Sequence, residues 1–281
     1  MNVGAASAPA SSANLGPGFD VLAIGWEIRC RAQVTRSNRW LIKQDGEQWT
    51  PRDGEYVMQA AQAAGAGPYL IELENDVPRS RGLGASSAVA TAVAAAAFRA
   101  DGREPNDREL FAIVTALEGH GDNAAAAVYG GLVMVDGLHV ARLELAPELR
   151  FIAAVPASPL RTSDARAALP EHVNRRAVVR SLTRFGFLLQ GLLSGRAELL
   201  AQARGDELHE APRAALSPVT GSLIAAALDA GALHASWSGA GPTALAITTE
   251  AGVAQVEAAL RTVLGAEGTT QRLEVATTGW A

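Results

Sequence analysis

Glycine and serine residues cluster ahead of an alanine-rich run between Pro78 and Phe98, in PRSRGLGASSAVATAVAAAAF. Gly82 and Gly84 permit positive φ and a close approach of the backbone to a ligand. The serines that follow stand where a helix should begin, and the free amides of a first helical turn attract anions such as phosphate. The segment predicts an anion-binding loop, although a capped helix after a glycine turn explains the segment equally well when it is taken alone.

The basic residues of the chain limit the ways in which such a loop could bind phosphate. Lys43 is the only lysine among 24 basic residues, and no GK[ST] tripeptide occurs in the chain. A Walker A loop is therefore excluded, and so is a phosphate site of the protein-kinase type, because no glycine-rich loop precedes Lys43. Any phosphate site in this chain must use backbone amides and arginine.

A second motif, SSANLGPGFD, covers residues 11–20. Gly16, Pro17 and Gly18 predict an irregular turn between two strands, with Asn14 and Asp20 presented at its ends. The same segment could be an ordinary hairpin turn without a functional role. Whether Asn14 and Asp20 belong to a site depends on which residues lie near the turn.

A third motif, EGHGDNAAAAVYGG, places Glu118, His120, Asp122 and Asn123 within six residues. Such a density of titratable groups beside glycines is more typical of a functional site than of a loop. The motif lacks paired histidine or cysteine ligands, which makes it a poor transition-metal site but a suitable source of oxygen ligands for Mg²⁺.

Two further features concern the second half of the chain. SWSGAGPTALAI predicts a tight turn around Gly239 and Gly241 between two strands, which alone is most often a hairpin. Arg166 in TSDARAALP and Arg213 in HEAPR are candidates for bidentate capture of a carboxylate, although most arginines are ordinary surface residues.

The elements that must position these residues alternate irregularly between strand and helix. Hydrophobic periodicity predicts strands at 21–35, 69–74, 234–238, 244–248 and 272–276, and core strands in the LVMV and FIAAV runs. It predicts helices at 54–66, 86–100, 173–193, 196–203, 219–230 and 253–264, and another after Asp107. Without a regular βαβ repeat, the pattern favours an α+β fold over a doubly wound parallel sheet. We place a domain boundary near residue 155, which gives domains 1–155 and 156–281.

Composition excludes several other classes. The chain has 281 residues, 48% hydrophobic residues and a formal charge of −5, which fits a globular protein without a basic surface for nucleic acid or anionic membranes. Cys30 is the only cysteine, so no internal disulfide can form and a reducing cytoplasm is expected. We expect no export signal and no membrane span.

Taken together and in this order, the motifs resemble the GHMP kinases, and within that family the homoserine kinase branch. The resemblance covers nearly the whole chain: PASSANLGPGFD, PRSRGLGASSA, EGHGDNAAAAVYGG and SGAGPTALAI are similar to four family motifs, and TSDARAALP and HEAPR to segments of the homoserine kinase branch. It implies an N-terminal domain like ribosomal protein S5 domain 2, which binds ATP, and a ferredoxin-like C-terminal domain, with the two substrates meeting between them.

The same resemblance implies roles for individual residues. The ATP phosphates would bind a loop formed by Pro78, Arg81, Gly82, Leu83, Gly84, Ala85, Ser86 and Ser87, and Mg²⁺ would bind Ser86 and Glu118. The amino acid would bind Asn14, Asp20, His120, Arg166, Arg213, Gly239 and Gly241. Asn123 would lie near the reacting hydroxyl. Asp122 would either accept the hydroxyl proton or orient His120 or an arginine.

Three positions depart from the family pattern. Ala85 stands where the phosphate loop usually has a first serine, and Gly121 replaces the proline of EGHPDN. Glu55-Tyr56-Val57 replaces the usual Asn-Leu-Val. A carboxylate at Glu55 would either repel phosphate or face the adenosine, so the nucleotide affinity depends on where this side chain points.

The resemblance implies ATP-dependent phosphorylation of the L-homoserine side chain, a step toward threonine, and a homodimer. Two alternatives remain open at this point: a kinase of the same fold that acts on another small hydroxylated acceptor, and a catalytically silent member that only binds a ligand. Glu55 and Ala85 motivate the silent alternative. The retained Glu118, Asp122 and Asn123 argue against it.

Overall fold

The structure, a computed structural model, describes residues 2–281 and contains two sheets. The first sheet is built from the strands β1 (Val3–Asn14), β2 (Gly18–Arg36), β3 (Leu41–Gln44), β4 (Glu47–Trp49), β5 (Tyr69–Asn75), β6 (Leu132–Asp136) and β7 (His139–Leu143). Its order is β4-β3-β5-β2-β6-β7, and β1 also pairs with β2. The β3–β5 pair is parallel and the other pairs are antiparallel.

Four helices belong to this half: α1 (Tyr56–Ala64), α2 (Ala85–Ala100), α3 (Asp107–Glu118) and α4 (Asp122–Tyr129). The α2 helix packs on β1 and β2 and is buried along nearly its whole length. Its alanines let the backbones approach closely, since a Cβ built on Gly4 of β1 would lie 2.0 Å from the carbonyl oxygen of Ala96. A helix that is apolar all round is a buried helix, which explains the alanine run.

The second sheet contains β8 (Leu149–Pro156), β9 (His234–Trp237), β10 (Ala244–Thr249) and β11 (Gly268–Leu273). All its pairs are antiparallel and its order is β11-β8-β10-β9. Numbered within this half, the order is 4-1-3-2, the arrangement of a ferredoxin-like sheet. Two helices, α9 (Pro218–Asp229) and α10 (Val253–Leu264), pack on the sheet and on each other. The predicted α+β fold with two different halves is confirmed.

The remaining helices lie between β8 and α9. They are α5 (Thr162–Ala167), α6 (Arg175–Ser194), α7 (Ala197–Gln202) and α8 (Glu210–Arg213), followed by a short 3-10 helix at Ala214–Leu216. A second 3-10 helix, Glu250–Gly252, lies between β10 and α10. Within residues 2–281, no helix combines the length and apolar character that crossing a bilayer requires.

Strand β8 contains residue 155, near which the sequence predicts the domain boundary. Its residues pair with β10 and β11 of the second sheet, so a cut at residue 155 would fall inside a strand of that sheet. We propose residues 144–148 as the division, because they connect the last strand of the first sheet to the first strand of the second. The apolar FIAAV run predicts a core strand but does not indicate which sheet receives it.

The predicted strand at 272–276 is wrong in its bounds. The strand β11 ends at Leu273, and the chain then crosses to the first sheet, where the amide of Glu27 donates to the carbonyl of Glu274 and the amide of Ala276 donates to that of Gly25. Ser7 and Ala281 exchange backbone hydrogen bonds further along β1. The end of the chain therefore ties the two halves together.

Candidate active site

A cavity of about 410 Å³ lies where the two halves meet. The residues that line it come from the β1–β2 turn, the start of α1, the loop before α2, the α3–α4 connection, α5, α8 and the β9–β10 turn. Nearly every residue singled out in the four motifs therefore converges on one space, although the motifs are separated by as many as 225 positions in the chain.

The loop from Pro78 to Gly84 forms one wall. Gly84 is the residue before α2 and has a φ of +65°, and Gly82 has a φ of +75°. A Cβ at Gly84 would lie 2.0 Å from Ser11 Oγ, and a Cβ at Gly82 would lie 2.1 Å from the carbonyl oxygen of Ser238. Both the backbone conformation and the lack of space require glycine here. The resulting loop presents the first amides of a 16-residue helix to the cavity.

This loop is fastened to the second half of the chain. Ser238 Oγ donates to the carbonyl of Gly82 at 2.6 Å, and Arg81 Nε donates to the carbonyl of Pro156 at 2.9 Å. A further guanidinium nitrogen of Arg81 donates to the carbonyl of Ala157. The Arg81 side chain therefore holds the loop against β8, and its guanidinium is already engaged by backbone.

Glu118, at the end of α3, lies beside the first turn of α2. Its side chain is 8% exposed. Ser86 Oγ, in the first turn of α2, donates to Glu118 Oε2 at 2.8 Å, and the phenol of Tyr56 donates to Glu118 Oε1. Burial, followed by the charge and hydrogen bond of Glu118, raises the pKa of Tyr56, so the phenol is a donor. A hydroxyl and a carboxylate thus meet beside the helix start.

His120, Asp122 and Asn123 continue this side of the cavity. Asp122 is 2% exposed, and its Oδ1 accepts from the amide of Asn123 and lies 2.7 Å from His120 Nδ1. Burial lowers the pKa of His120, but the hydrogen bond and charge of Asp122 outweigh burial, so this pKa is raised overall. Asn123 Oδ1 accepts from Ser11 Oγ at 2.8 Å, which leaves the amide nitrogen of Asn123 to face the cavity.

The β1–β2 turn has an unusual backbone. Asn14, Leu15 and Gly16 have φ angles of +72°, +54° and +85°, and Leu15 is fully buried. Two buried histidines of the second half secure this turn: His234 Nε2 donates to the carbonyl of Leu15 at 3.1 Å, and His209 Nε2 donates to that of Gly16 at 2.8 Å. Consecutive left-handed residues are costly and persist only where their surroundings hold them.

The turn also carries two polar side chains of the site. Asn14 Nδ2 donates to the carbonyl of Gly239 at 2.9 Å, and Asn14 Oδ1 accepts from the amide of Asp20 at 3.0 Å. Asp20 in turn forms a bidentate pair with Arg166 of α5, with distances of 2.8 and 3.2 Å. Both side chains of this pair are about one-third exposed to the cavity. An acidic and a basic group therefore stand side by side in the cavity wall.

Arg213 is the most buried cation of the site, at 2% exposure. Its Nε donates to the carbonyl of Ala165 at 3.1 Å, and its Nη1 donates to His209 Nδ1 at 2.9 Å. Arginine has no acceptor, so Nδ1 of His209 is the unprotonated nitrogen and Nε2 carries the hydrogen. Burial lowers the pKa of His209 to about 4 and, together with the charge of Arg166, lowers the pKa of Arg213 to about 10. His209 is thus neutral and Arg213 charged near pH 7.

The carboxylate of Glu55, which departs from the family pattern, has partners in its own segment. Trp49 Nε1 donates to Glu55 Oε1 at 3.0 Å, and the amide of Arg52 donates to Oε2 at 3.2 Å. Both carboxylate oxygens are therefore engaged by the segment before α1. Glu55 lies at the rim of the cavity, on the side of Tyr56 and Val57.

Two residues of the predicted set, Ser87 and Gly241, do not line the cavity. Ser87 is fully buried, and its hydroxyl finds no partner among residues 2–281, so it faces the core rather than the cavity. Gly241 lies behind the lining, where a Cβ would come within 2.4 Å of the Trp237 ring. The following predicted residues do line the cavity: Asn14, Asp20, Pro78, Arg81, Gly82, Leu83, Gly84, Ala85, Ser86, Glu118, His120, Asp122, Asn123, Arg166, Arg213 and Gly239.

Sequence reasoning missed three residues that hold the site in place. Ser11 contacts Asn123, Tyr56 contacts Glu118, and His209 contacts Arg213. Only the last pair had a usable signal, since His209 and Arg213 are four residues apart and therefore lie on the same face of a helix. The other two pairs are distant in sequence.

The oxygen donors fit a magnesium ion only together with a bound nucleotide. Within residues 2–281 no group of three or more His, Cys, Asp and Glu residues is arranged to hold a metal. Ser86 and Glu118 supply two oxygen ligands beside the anion loop, and Mg²⁺ commonly takes its other ligands from water and substrate phosphates. The residues present therefore fit the ion as part of a metal–nucleotide complex.

An anion loop at a helix start, next to a carboxylate and a hydroxyl between two α+β halves, defines a small-molecule phosphotransferase. Family models for the GHMP kinases N terminal domain and the GHMP kinases C terminal match residues 55–131 and 188–266. The chain belongs to the GHMP kinase family.

Individual relatives point to one branch of that family. A homoserine kinase of Deinococcus radiodurans is 36% identical over 87% of this chain and 84% of its own length, and one of Desulfitobacterium hafniense is 33% identical over 94% and 93%. The crystal structure of homoserine kinase from Cytophaga hutchinsonii matches with a TM-score of 0.88 at 26% identity, covering 100% of this chain and 97% of that one. A Streptococcus pneumoniae phosphomevalonate kinase, with a TM-score of 0.71 at 16% identity, shares the fold.

Proposed function

We propose that this protein transfers the γ-phosphoryl group of ATP to the side-chain hydroxyl of L-homoserine and forms O-phospho-L-homoserine. The relatives that cover most of the chain are homoserine kinases. The observation that carries the proposal within the site is a single cavity that is lined both by Asp20, Arg166 and Arg213 and by the glycine-rich loop before α2. A zwitterionic acceptor needs both signs of charge in that cavity, and a sugar needs neither.

The Asp20–Arg166 pair suggests how the amino acid is received. The ammonium group of the substrate would bind the Asp20 carboxylate and Asn14, and its carboxylate would bind the guanidinium groups of Arg166 and Arg213. Each charge of the substrate then replaces one partner of the existing pair, so neither Asp20 nor Arg166 is left without a counter-charge. The exchange avoids the cost of an unpaired charge in a partly buried site.

The phosphate loop and the Ser86–Glu118 pair would hold the nucleotide. Backbone amides at the start of α2 would bind the phosphates, and Ser86 Oγ and a Glu118 oxygen would be ligands of Mg²⁺. The ion, when bound, neutralises charge on the phosphates. The engaged carboxylate of Glu55 supports the view that this residue does not repel the phosphates.

Asn123 and His120 would face the reacting hydroxyl. The Asn123 amide nitrogen would donate to the hydroxyl oxygen, because the carbonyl end of this side chain is held by Ser11. We favour a positioning role for Asp122, whose Oδ1 is taken up by His120 and the Asn123 amide, over a role as general base. Phosphoryl transfer depends mainly on positioning and charge stabilisation, so a dedicated base is not required.

A panel of acceptors tests the function. Purified protein with MgATP should release ADP with L-homoserine and at most weakly with L-serine, L-threonine, mevalonate and galactose, and the product should be identified by mass spectrometry. Turnover of mevalonate or a sugar without turnover of homoserine would refute the proposal. Binding of homoserine without ADP release would instead support a catalytically silent member.

Three further points belong to this proposal. The product would serve threonine biosynthesis, the compartment would be the cytoplasm, and the protein would form a homodimer. The single, unpaired Cys30 supports a reducing compartment. Light scattering coupled to size exclusion would determine the oligomeric state.

A further inference from the structure

Tyr56 is placed unusually for its residue type. It opens α1, is half-buried, and directs its phenol at the Glu118 carboxylate, 62 residues further along the chain. The family motif that resembles this segment has leucine at this position, which has no hydrogen-bond donor. The tyrosine therefore adds a polar contact beside the phosphate loop that a leucine would not make.

Glu118 needs such a donor because it is largely withdrawn from water. With 8% of its side chain exposed, its carboxylate must be stabilised by donors from the protein. Among residues 2–281, hydrogen bonds reach Oε1 from Tyr56 and Oε2 from Ser86, while His120 Nε2 lies 4.0 Å from Oε2. The two hydroxyls thus share the carboxylate, one oxygen each, and fix its plane.

The two hydroxyls differ in what they can do when a metal–nucleotide complex is present. Ser86 lies at the start of α2, and as a metal ligand its oxygen would direct a lone pair to the ion. Tyr56 belongs to α1, on the opposite oxygen of Glu118, and lies in the cavity wall beside Val57 rather than in the phosphate loop. The Tyr56 hydrogen bond can therefore persist while the Ser86 contact changes.

We propose that Tyr56 is a positioning residue, which holds the Glu118 carboxylate in the orientation that binds the metal–nucleotide complex. The proposal rests on the proposed role of Glu118 as a magnesium ligand. Outer hydrogen bonds to metal-binding carboxylates commonly control their affinity, and losing one costs about tenfold or more in metal binding. Because the phenol is a hydrogen-bond donor at neutral pH, this contribution is present under ordinary conditions.

The test compares two phenol-to-phenyl substitutions by calorimetry. Tyr56→Phe should weaken binding of the Mg²⁺ complex of a nonhydrolysable ATP analogue by about tenfold and leave binding of the metal-free analogue unchanged. Tyr69→Phe is the matched control, because the Tyr69 phenol also donates to a shielded carboxylate, Asp101 at 2.8 Å, but outside the cavity lining. This control should leave both affinities unchanged.

A direct measurement of metal binding provides a readout that does not depend on turnover. Mn²⁺ titrations followed by electron paramagnetic resonance in the presence of the analogue should show the same loss for Tyr56→Phe. In steady-state assays, the Mg²⁺ concentration for half-activation should rise while the KM for homoserine stays within about twofold, as expected when the acceptor wall is intact. Melting temperatures establish that each variant is folded.

The outcomes separate this inference from the proposed metal site. If Glu118→Gln abolishes metal-dependent nucleotide binding and Tyr56→Phe leaves it intact, the positioning role of Tyr56 is overturned and the metal site stands. If Glu118→Gln keeps wild-type metal dependence, the metal site itself fails. Equal weakening of metal-bound and metal-free nucleotide in Tyr56→Phe would reduce Tyr56 to a packing residue and also overturn the inference.

Discussion

His209 provides the sharpest test of the acceptor wall, because it joins two parts of the site without lining the cavity itself. One ring nitrogen accepts from Arg213 at 2.9 Å, and the other donates to the carbonyl of Gly16 in the β1–β2 turn at 2.8 Å. Its ring also stacks on Phe19, with centroids 5.1 Å apart. Leucine is similar in size to histidine but has no polar atom in its side chain, so His209→Leu removes both hydrogen bonds.

The expected effect follows from the charge of Arg213. A hydrogen bond to a charged group contributes about 1.5–3 kcal/mol, and a buried guanidinium that loses its acceptor reorients toward any other oxygen within reach. If this whole contribution serves to orient Arg213 toward the acceptor carboxylate, kcat/KM for homoserine should fall by about 10- to 100-fold. The KM for MgATP should change little, because the phosphate loop is fastened by Arg81 and Ser238 instead.

A second substitution separates positioning from packing. In His209→Gln the amide oxygen can accept from Arg213 and the amide nitrogen can donate to Gly16, so this variant should recover much of the loss seen in His209→Leu. Steady-state kinetics with each substrate varied in turn, combined with urea unfolding, provide the measurement. The reasoning would be refuted if kcat/KM fell equally for homoserine and for MgATP in both variants. It would also be refuted if both variants were folded and kept full activity toward homoserine.

Three more outcomes follow from the geometry. Arg213→Ala should raise the KM for homoserine far more than that for MgATP, since it removes a charge-assisted bond of about 1.5–3 kcal/mol, and equal changes in the two constants would contradict its placement. Gly84→Ala should weaken nucleotide binding by about tenfold or more in calorimetry, because the new Cβ would lie 2.0 Å from Ser11 Oγ at a φ of +65°; unchanged affinity would contradict the close fit. Burial lowers the pKa of His234 to about 4 from 6.5, so between these pH values the unfolded chain binds protons that the folded chain does not, and the free energy of unfolding falls as pH falls. His234→Gln should reduce this dependence in urea titrations but not remove it, because the pKa of His209 is also lowered to about 4 and acts with the same sign. The raised pKa of Glu210, caused mainly by burial, acts with the opposite sign and is unaffected by the substitution. An unchanged slope would show that His234 takes up its proton without unfolding.

Sequence patterns predicted individual helices well where the helix itself contains a clear run or period of apolar residues. The alanine run predicts a helix at 86–100 and the structure has one from Ala85 to Ala100, and the helix predicted at 253–264 has those bounds. The Ser87 hydroxyl is buried because successive residues on a helix point about 100° apart. With the helix starting at Ala85, Ser86 faces the cavity and Ser87 must face the core.

Contacts between distant segments could not be derived from local pattern. The Asp20–Arg166 pair joins residues 146 positions apart, and nothing in either motif indicates that the two charges neutralise each other. The same holds for Glu55, whose carboxylate accepts a hydrogen bond from the Trp49 indole. Motif order predicted which residues gather at one site, but the hydrogen bonds that orient them depend on packing between the halves.

Hydrogen bonds between the β1–β2 turn and the second half of the chain restrict the relative motion of the two halves. The two histidine bonds, the Asn14 bond to Gly239 and the backbone bond from Gly239 to Ala13 cross from one half to the other close to the acceptor wall. A wide hinge motion would break all of these at once and would expose buried imidazoles to solvent. We therefore expect substrates to enter and leave through the mouth of the cleft, while these bonds keep the two halves together during turnover.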